Sequence, residues 1–177
     1  MLRRLLAVGC VALAVATASI AGAAAQPSIG AQASRAMAAA SALAGRIAAY
    51  HRGPGRWTGA TPVPPGYCAT MREGEAVMKE LARLAGRAIL YRLPGLALQL
   101  QAAGNRLGDE LDEEEIINQA AGIPYSVYPC PVAGRPYPAR ATFLVLVERR
   151  MPSCRREADA LRLSFAARRT LVQQCLR

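Results

Sequence analysis

The chain has 177 residues, and its 22 basic side chains, 21 of them arginine, outnumber 12 acidic ones to give a formal net charge of +10. It has one histidine and no GxSxG, HExxH, P-loop or GxGxxG motif, which argues against serine, zinc and nucleotide-dependent enzymes. The basic excess, without a nucleic-acid recognition motif, predicts that the partner is an acidic protein or an anionic envelope component rather than nucleic acid. We expect no cofactor.

The first 25 residues have the pattern of an export signal. Arg3 and Arg4 precede an apolar run over 5–18, and three alanines over 23–25 provide a small-residue cleavage site. We therefore expect a signal peptide (1–25) followed by one domain (26–177) that is periplasmic or secreted. Two alternatives stay open: an uncleaved anchor, which would be the only membrane attachment, and lipidation at Cys10.

Hydrophobic periodicity predicts that this domain is mainly helical. Ser28 is placed to cap an alanine-rich helix over 29–50, which either packs closely on a neighbour or forms a loosely held arm. Apolar residues recur at helical spacing over 70–91. The segment 96–107 fits a helix with Pro94 near its first turn better than it fits a strand.

The segment 51–67 is rich in proline and glycine and is predicted to be a loop. It carries two arginines and the only tryptophan, which either form a recognition surface or fold back with the tryptophan as a lid over the core. Two arginines of the next helix form a ridge with Lys79 that either extends this basic face or is simply solvated. The candidate binding residues are Arg52, Arg56, Trp57, Arg83 and Arg87.

Six of the twelve acidic residues lie between Asp109 and Glu115. We interpret Gly108 as the end of one helix and Asp109 as the cap of the next, so that the acids fill the first turns, where the helix dipole stabilises negative charge. Gly122 and Pro124 then end this helix. Because the run lacks the ligand spacing and central glycine of a calcium loop, we expect no metal.

The last third of the chain is predicted to contain a β-hairpin and a closing helix. Strand-forming residues over 123–128 and 142–147 flank a proline-rich connection. Ser153 is then expected to cap a helix over 152–177 with a cysteine near each end. Such a helix holds its two cysteines about 30 Å apart, far beyond the reach of a disulfide.

Four cysteines follow the leader, and an even number in an exported protein predicts two disulfides rather than free thiols or a zinc site. The closing helix, running back along the hairpin, would bring Cys175 to Cys130, which leaves Cys68 for Cys154. The predicted bridges are thus Cys68–Cys154 and Cys130–Cys175, and the alternative is Cys68–Cys175 with Cys130–Cys154.

These patterns predict a mainly α fold with a minor β part: four to five helices and one short hairpin, held by two disulfides. The expected function is that of a small, exported, non-enzymatic binding protein of the bacterial envelope with a basic surface for an anionic partner. One alternative is a hydrolase of envelope polysaccharide that uses two carboxylates drawn from Glu73, Glu75, Glu80 and Glu148. Another is an inhibitor or chaperone of a secreted protein that uses the Trp57 loop as its anchor.

Overall fold

A computed structural model describes residues 28–123, 130–132 and 134–176. Most of these residues belong to five helices: α1 (Ile29–His51), α2 (Tyr67–Leu90), α3 (Pro94–Ala120), α4 (Arg140–Ala160) and α5 (Phe165–Leu176). The predicted helical class is confirmed. The leader lies outside the described residues, so the signal peptide and the domain boundary stay predictions. Within the described ranges, none of the helices has both the length and the apolar character that crossing a bilayer requires.

Helices α1, α2 and α3 pack on one another around the larger of two apolar cores. Ser28 caps α1 as predicted, because its hydroxyl accepts a hydrogen bond from the Ala31 N–H at 3.2 Å. The alanines of α1 allow close packing, and the helix is a full member of this bundle rather than a loose arm. Its buried apolar residues are Ala33, Ala40, Leu43, Ala44 and Ile47.

Gly74 of α2 lies where α1 and α3 both approach α2 closely. A Cβ at this position would lie 3.1 Å from the Leu111 side chain and 3.2 Å from that of Ile47. There is little room for any side chain here, so the glycine sets the distance at which α2 meets its two neighbours.

The connection between α1 and α2 folds back over the core. Trp57 is only 4% exposed, and its indole N–H donates a hydrogen bond to the Thr61 carbonyl at 2.9 Å. Its ring meets the rings of Tyr67 and Tyr137 edge-on at 5.6 Å and 6.3 Å. This position agrees with the lid interpretation and takes the tryptophan away from the surface.

Helix α3 is continuous for 27 residues, and the predicted break at Gly108 is wrong. Gly108 and Asp109 are both buried inside the helix, so Asp109 is not an N-cap. An interior glycine costs only about 1 kcal/mol relative to alanine, which tertiary packing outweighs. The predicted end of the helix is correct: Ala120 is the last helical residue, and Gly122 takes a left-handed φ of 68°.

The predicted β-hairpin is also wrong. Its second strand, 142–147, lies within α4, and no strand occurs in the part of the chain that the structure describes; 124–128 of the first strand lie outside that part. Strand propensity depends on context, and here helical spacing prevails because it presents one continuous face to the smaller core. The buried apolar residues of that face are Leu144, Val147, Met151, Cys154 and Ala158.

Helices α4 and α5 form a helical hairpin, so the single closing helix predicted over 152–177 is wrong. Ser153 lies inside α4, where its hydroxyl donates to the Arg150 carbonyl at 2.7 Å instead of capping a helix. The chain turns over 161–164, with Arg162 at a left-handed φ of 49°. This turn brings Cys154 and Cys175 into a disulfide with a Cα–Cα distance of 5.7 Å.

Both predicted disulfides, Cys68–Cys154 and Cys130–Cys175, are therefore wrong, and so is the alternative pairing. The argument from a 30 Å separation assumed an unbroken helix, and the turn after α4 removes that assumption. Cys68 and Cys130 are partly exposed free thiols. Burial and a hydrogen bond with the Cys130 thiol raise the pKa of Cys68 to about 11.

Candidate functional site: a buried charge cluster

The acidic run of α3 is folded into the interior. Five of its six acidic side chains are buried and Glu115 is half-buried. An ionised carboxylate is costly to bury unless cations and hydrogen-bond donors surround it. Six cations from α1, the residue after it, α4 and α5 provide this compensation. The charge cluster consists of Asp109, Glu110, Asp112, Glu113, Glu114 and Glu115 with His51, Arg52, Arg140, Arg155, Arg168 and Arg169.

Glu114 lies at the centre of the charge cluster and has no solvent exposure. One carboxylate oxygen accepts a hydrogen bond from the Tyr67 hydroxyl at 2.6 Å, and the other lies 3.0 Å from Nδ1 of His51. Arg140 donates to the same carboxylate at 2.8 Å. Burial by itself would raise the pKa of Glu114, but the His51 hydrogen bond and the Arg140 charge outweigh it, so the pKa is lowered.

The ring of His51 is fully buried among three carboxylates. Its Nε2 lies 3.2 Å from Glu110 and 3.5 Å from Glu113, and its Nδ1 faces Glu114. Burial alone would lower the pKa of His51, but hydrogen bonds with Glu110 and Glu114 and the charge of Glu113 raise it above its ordinary value. The geometry fits an imidazolium that donates both of its N–H groups.

Arg140, in the first turn of α4, fastens three parts of the chain together. Its guanidinium is fully buried and lies 4.4 Å from the centre of the Trp57 ring. Besides Glu114, it donates to the Asn118 side-chain oxygen at 2.5 Å and to the backbone carbonyls of Trp57 at 2.8 Å and Tyr50 at 3.1 Å. One side chain thereby joins α1, the α1–α2 connection and α3 to the start of α4.

Partly exposed arginines form the solvent-facing side of the charge cluster. Arg52, whose side chain is 40% exposed, donates to Glu110 at 3.0 Å and to Glu113. Arg155 approaches the same two carboxylates at 3.5 Å and 3.1 Å. Burial would raise the pKa of Glu110, but the hydrogen bond with His51 and the charges of both arginines lower it. Glu110 is therefore ionised yet shielded.

Two arginines of α5 hold the other side of the charge cluster. The pairs are Arg168–Asp109, Arg168–Asp159 at 2.7 Å, Arg169–Asp112 at 2.6 Å and Arg169–Glu115 at 3.1 Å. Burial raises the pKa of Asp112 to about 7, and the Arg169 charge offsets this only in part. Helix α5, with twelve residues, is therefore held to α3 by ion pairs as well as by its apolar face.

Three members of the charge cluster have the composition of a metal site. The ligand atoms of His51, Glu110 and Glu113 lie within 4.8 Å of one another. However, Arg52 and Arg155 contact oxygens of both glutamates, and the His51 Nε2 faces the same carboxylates. A metal ion would have to displace a proton and at least one guanidinium. The arrangement is electrically complete without one, so its chemistry is that of a structural element.

The exterior of the described residues is strongly basic. Among the described residues, twelve basic residues are exposed but only four acidic ones. Three of those four acids are already paired with arginines: Glu73 with Arg46, Glu148 with Arg56, and Asp159 with Arg168. The charge cluster pairs six acids with six cations, so the positive excess of the described residues lies outside it, mostly on this exterior.

The five predicted binding residues are not brought together. One is in the charge cluster, one is in the core and three make separate contacts at the surface. Arg52 contacts Glu110 and Glu113, Arg56 pairs with Glu148, Trp57 is buried, Arg83 donates to Glu80 at 2.7 Å, and Arg87 donates to Gln32 at 3.2 Å. A binding role for the exposed arginines stays a prediction.

Local patterns did not predict Glu114, His51 or Arg140 as site residues, although one feature of the sequence points to Glu114. Leu100, Leu107 and Leu111 recur at helical spacing, and Glu114 falls at the next position of the same stripe. In an unbroken helix this glutamate must face the core and find cations there. Nothing local identifies those cations, because they lie far away along the chain.

No protein-family model, curated protein or solved structure matches this chain.

Proposed function

We propose that this chain is an exported, non-enzymatic binding protein of the bacterial envelope whose basic exterior binds an anionic partner. The observation that carries the proposal is the basic exterior: among the described residues, twelve exposed basic residues stand against four exposed acidic ones, while the buried acids of α3 are balanced by their own cations. An excess of one charge on a surface raises the local concentration of oppositely charged partners and speeds their association.

Two observations support an oxidising compartment outside the cytoplasm. The leader has the charge and apolar pattern of an export signal. The Cys154–Cys175 disulfide is of a kind that forms and persists in the periplasm or in secreted proteins. We therefore place the binding partner in the envelope or outside the cell.

The two alternative functions have less support. Of the carboxylates considered for a hydrolase, Glu73, Glu80 and Glu148 are each paired with an arginine rather than opposed across a cleft. An inhibitor or chaperone that used Trp57 as its anchor would need that side chain at the surface, and it is buried.

The test is retention of the exported protein on beads that carry polyglutamate, with polylysine beads as the control. We expect retention by polyglutamate only, and we expect it to weaken as salt rises from about 0.05 M to about 0.5 M, because screening shortens the reach of surface charge. Retention that salt does not affect, or equal retention by both polymers, would contradict the proposal.

A further inference from the structure

The turn between α2 and α3 carries an unusual share of the exposed apolar surface. In the described part of the chain nine large apolar residues are exposed, and five of them lie within residues 89–98. These five are Ile89, Leu90, Tyr91, Leu93 and Leu98. Leu90 is 80% exposed and Leu98 is 66% exposed. We call residues 89–93 the tip; exposed apolar residues that cluster in this way mark an interaction surface.

The sequence on either side of the tip carries only basic charge. The stretch 81–108 has four arginines and no acidic residue. The guanidinium of Arg87 lies 5.8 Å from the centre of the Tyr91 ring, and Arg92 is exposed at the turn itself. An apolar end with a tyrosine and a collar of arginines matches the two layers of a bilayer interface, acyl chains below and phosphate groups above.

An apolar cavity of about 150 Å³ lies between α2 and α3. Met78, Ala82 and Ala85 line it from α2, and Leu100 and Gly104 line it from α3. Ile89 continues the same row of α2 side chains towards the tip, four residues after Ala85. The row of apolar α2 side chains that lines the cavity therefore continues to the tip.

We propose that the tip inserts into the interfacial region of an anionic lipid bilayer. This inference rests on the proposed function and names the anionic partner. A soluble acidic protein would form ion pairs with the arginines, but its binding would not explain why exposed leucines lie beside them. A bilayer satisfies both, because each leucine leaves water while the arginines stay level with the lipid phosphates. This contact is separate from the membrane anchor considered for the leader.

The first test is co-sedimentation of the exported protein with vesicles of phosphatidylcholine alone or with about one third phosphatidylglycerol. We expect binding to the anionic vesicles only. Leu90→Ser should weaken this binding about tenfold, because one leucine no longer leaves water. Leu146→Ser is the matched control, since Leu146 is also exposed but lies on α4; it should bind as the unaltered protein does.

The second test separates the loss of charge from the loss of folding. Arg92 holds a left-handed φ of 57°, a conformation that favours glycine. Arg92→Gly should raise the melting temperature while weakening binding to anionic vesicles about fivefold. Arg162→Gly is the control, because Arg162 is also exposed with a left-handed φ of 49° but lies in the other turn. It should stabilise the protein without changing vesicle binding.

The third test detects insertion directly. In Leu90→Trp the new indole should shift its emission to the blue on anionic vesicles and be quenched by brominated acyl chains. The buried Trp57 supplies a constant background, and Leu146→Trp is the control. The outcomes distinguish the two proposals. If the protein binds neither vesicles nor polyglutamate, the proposed function is contradicted. If it binds polyglutamate but no vesicles, only the role of the tip is overturned. The same holds if it binds polyglutamate and vesicle binding is unaltered in Leu90→Ser and Arg92→Gly.

Discussion

Both halves of α3 place side chains in the interior, but by different means. The apolar half (94–107) packs Ala97, Leu100 and Leu107 against α1 and α2. The charged half (108–120) places five carboxylates in the interior, where cations from α1, α4 and α5 meet them. One helix thus changes the chemistry of its buried face within about three turns.

The difference predicts how each kind of buried surface responds when one side chain is substituted. Apolar packing is non-directional, so a truncated side chain costs its transfer free energy plus the cavity that remains. In a buried ion pair each charge depends on a specific opposite charge, and removing one partner leaves the other uncompensated. We therefore expect the charged half to be less tolerant of single changes and its stability to depend on pH.

The largest effect should come from Glu114→Ala. This change leaves Arg140 and His51 buried without their shared carboxylate, which should lower the free energy of unfolding by about 4 kcal/mol in urea denaturation. Glu157→Ala, at an exposed glutamate, should change it by less than about 0.5 kcal/mol. Equal losses in the two variants would show that the charge cluster does not stabilise the fold.

Leu100→Ala tests the apolar half. Leu100 is fully buried beside an existing cavity, and its truncation should cost about 3 kcal/mol in the same assay, with little dependence on pH. Leu98→Ala, two residues away on the exposed side, should cost less than about 0.5 kcal/mol. A strongly pH-dependent loss in Leu100→Ala would remove the distinction between the two halves.

Cys154→Ser tests how far the charge cluster can hold the helical hairpin without a covalent link. The disulfide closes a loop of 21 residues, so its loss should cost about 3 kcal/mol. Hydrogen exchange should accelerate in α5 before it accelerates in α1 to α3. Cys68→Ser is the control and should not change exchange in α5. Non-reducing peptide mapping should recover Cys154 joined to Cys175; any other pairing would contradict this arrangement.

The last prediction concerns pH. The pKa of Asp112 is raised from 3.8 to about 7, so the folded state binds its proton more tightly than the unfolded chain does, and stability should fall as pH rises from about 4 to about 7. Asp112→Asn should remove this fall and should therefore be more stable than the unaltered protein at pH 8. Urea denaturation across pH measures this difference, and an unchanged slope between pH 4 and 7 would contradict the assignment.

The pH profile also has contributions from groups that the Asp112 variant leaves in place. The pKa of His51 is raised, so its contribution is present at low pH and lost as pH rises above its folded value. The pKa values of Glu110 and Glu114 are lowered, so their contributions are lost as pH falls through the acidic range. Asp112→Asn should therefore keep the loss of stability in acid.

Local sequence patterns predicted the parts of the fold that local chemistry determines. The Ser28 cap, the apolar stripe of α2 and the end of α3 before Gly122 each depend on residues close in sequence. The helical hairpin could not be predicted in this way. Pro152 and Ser153 resemble a helix start but lie inside α4, and the turn at 161–164 contains no glycine or proline.

The charge cluster was beyond local reasoning for a different reason. Glu114 is separated from His51 by 63 residues and from Arg140 by 26. A sequence pattern shows that a carboxylate falls on a buried face, but the identity of its cations depends on how distant helices meet. The disulfide depended in the same way on the turn after α4.

The burial of Arg140 bears on the preference of this chain for arginine over lysine. At exposed positions such as Arg162, an ammonium group could replace a guanidinium with little consequence. At Arg140 it could not, because only a flat group with several donors can lie on the Trp57 ring and bond Asn118, Glu114 and two backbone carbonyls together. A preference that looks uniform in composition is thus a stereochemical requirement at this one position.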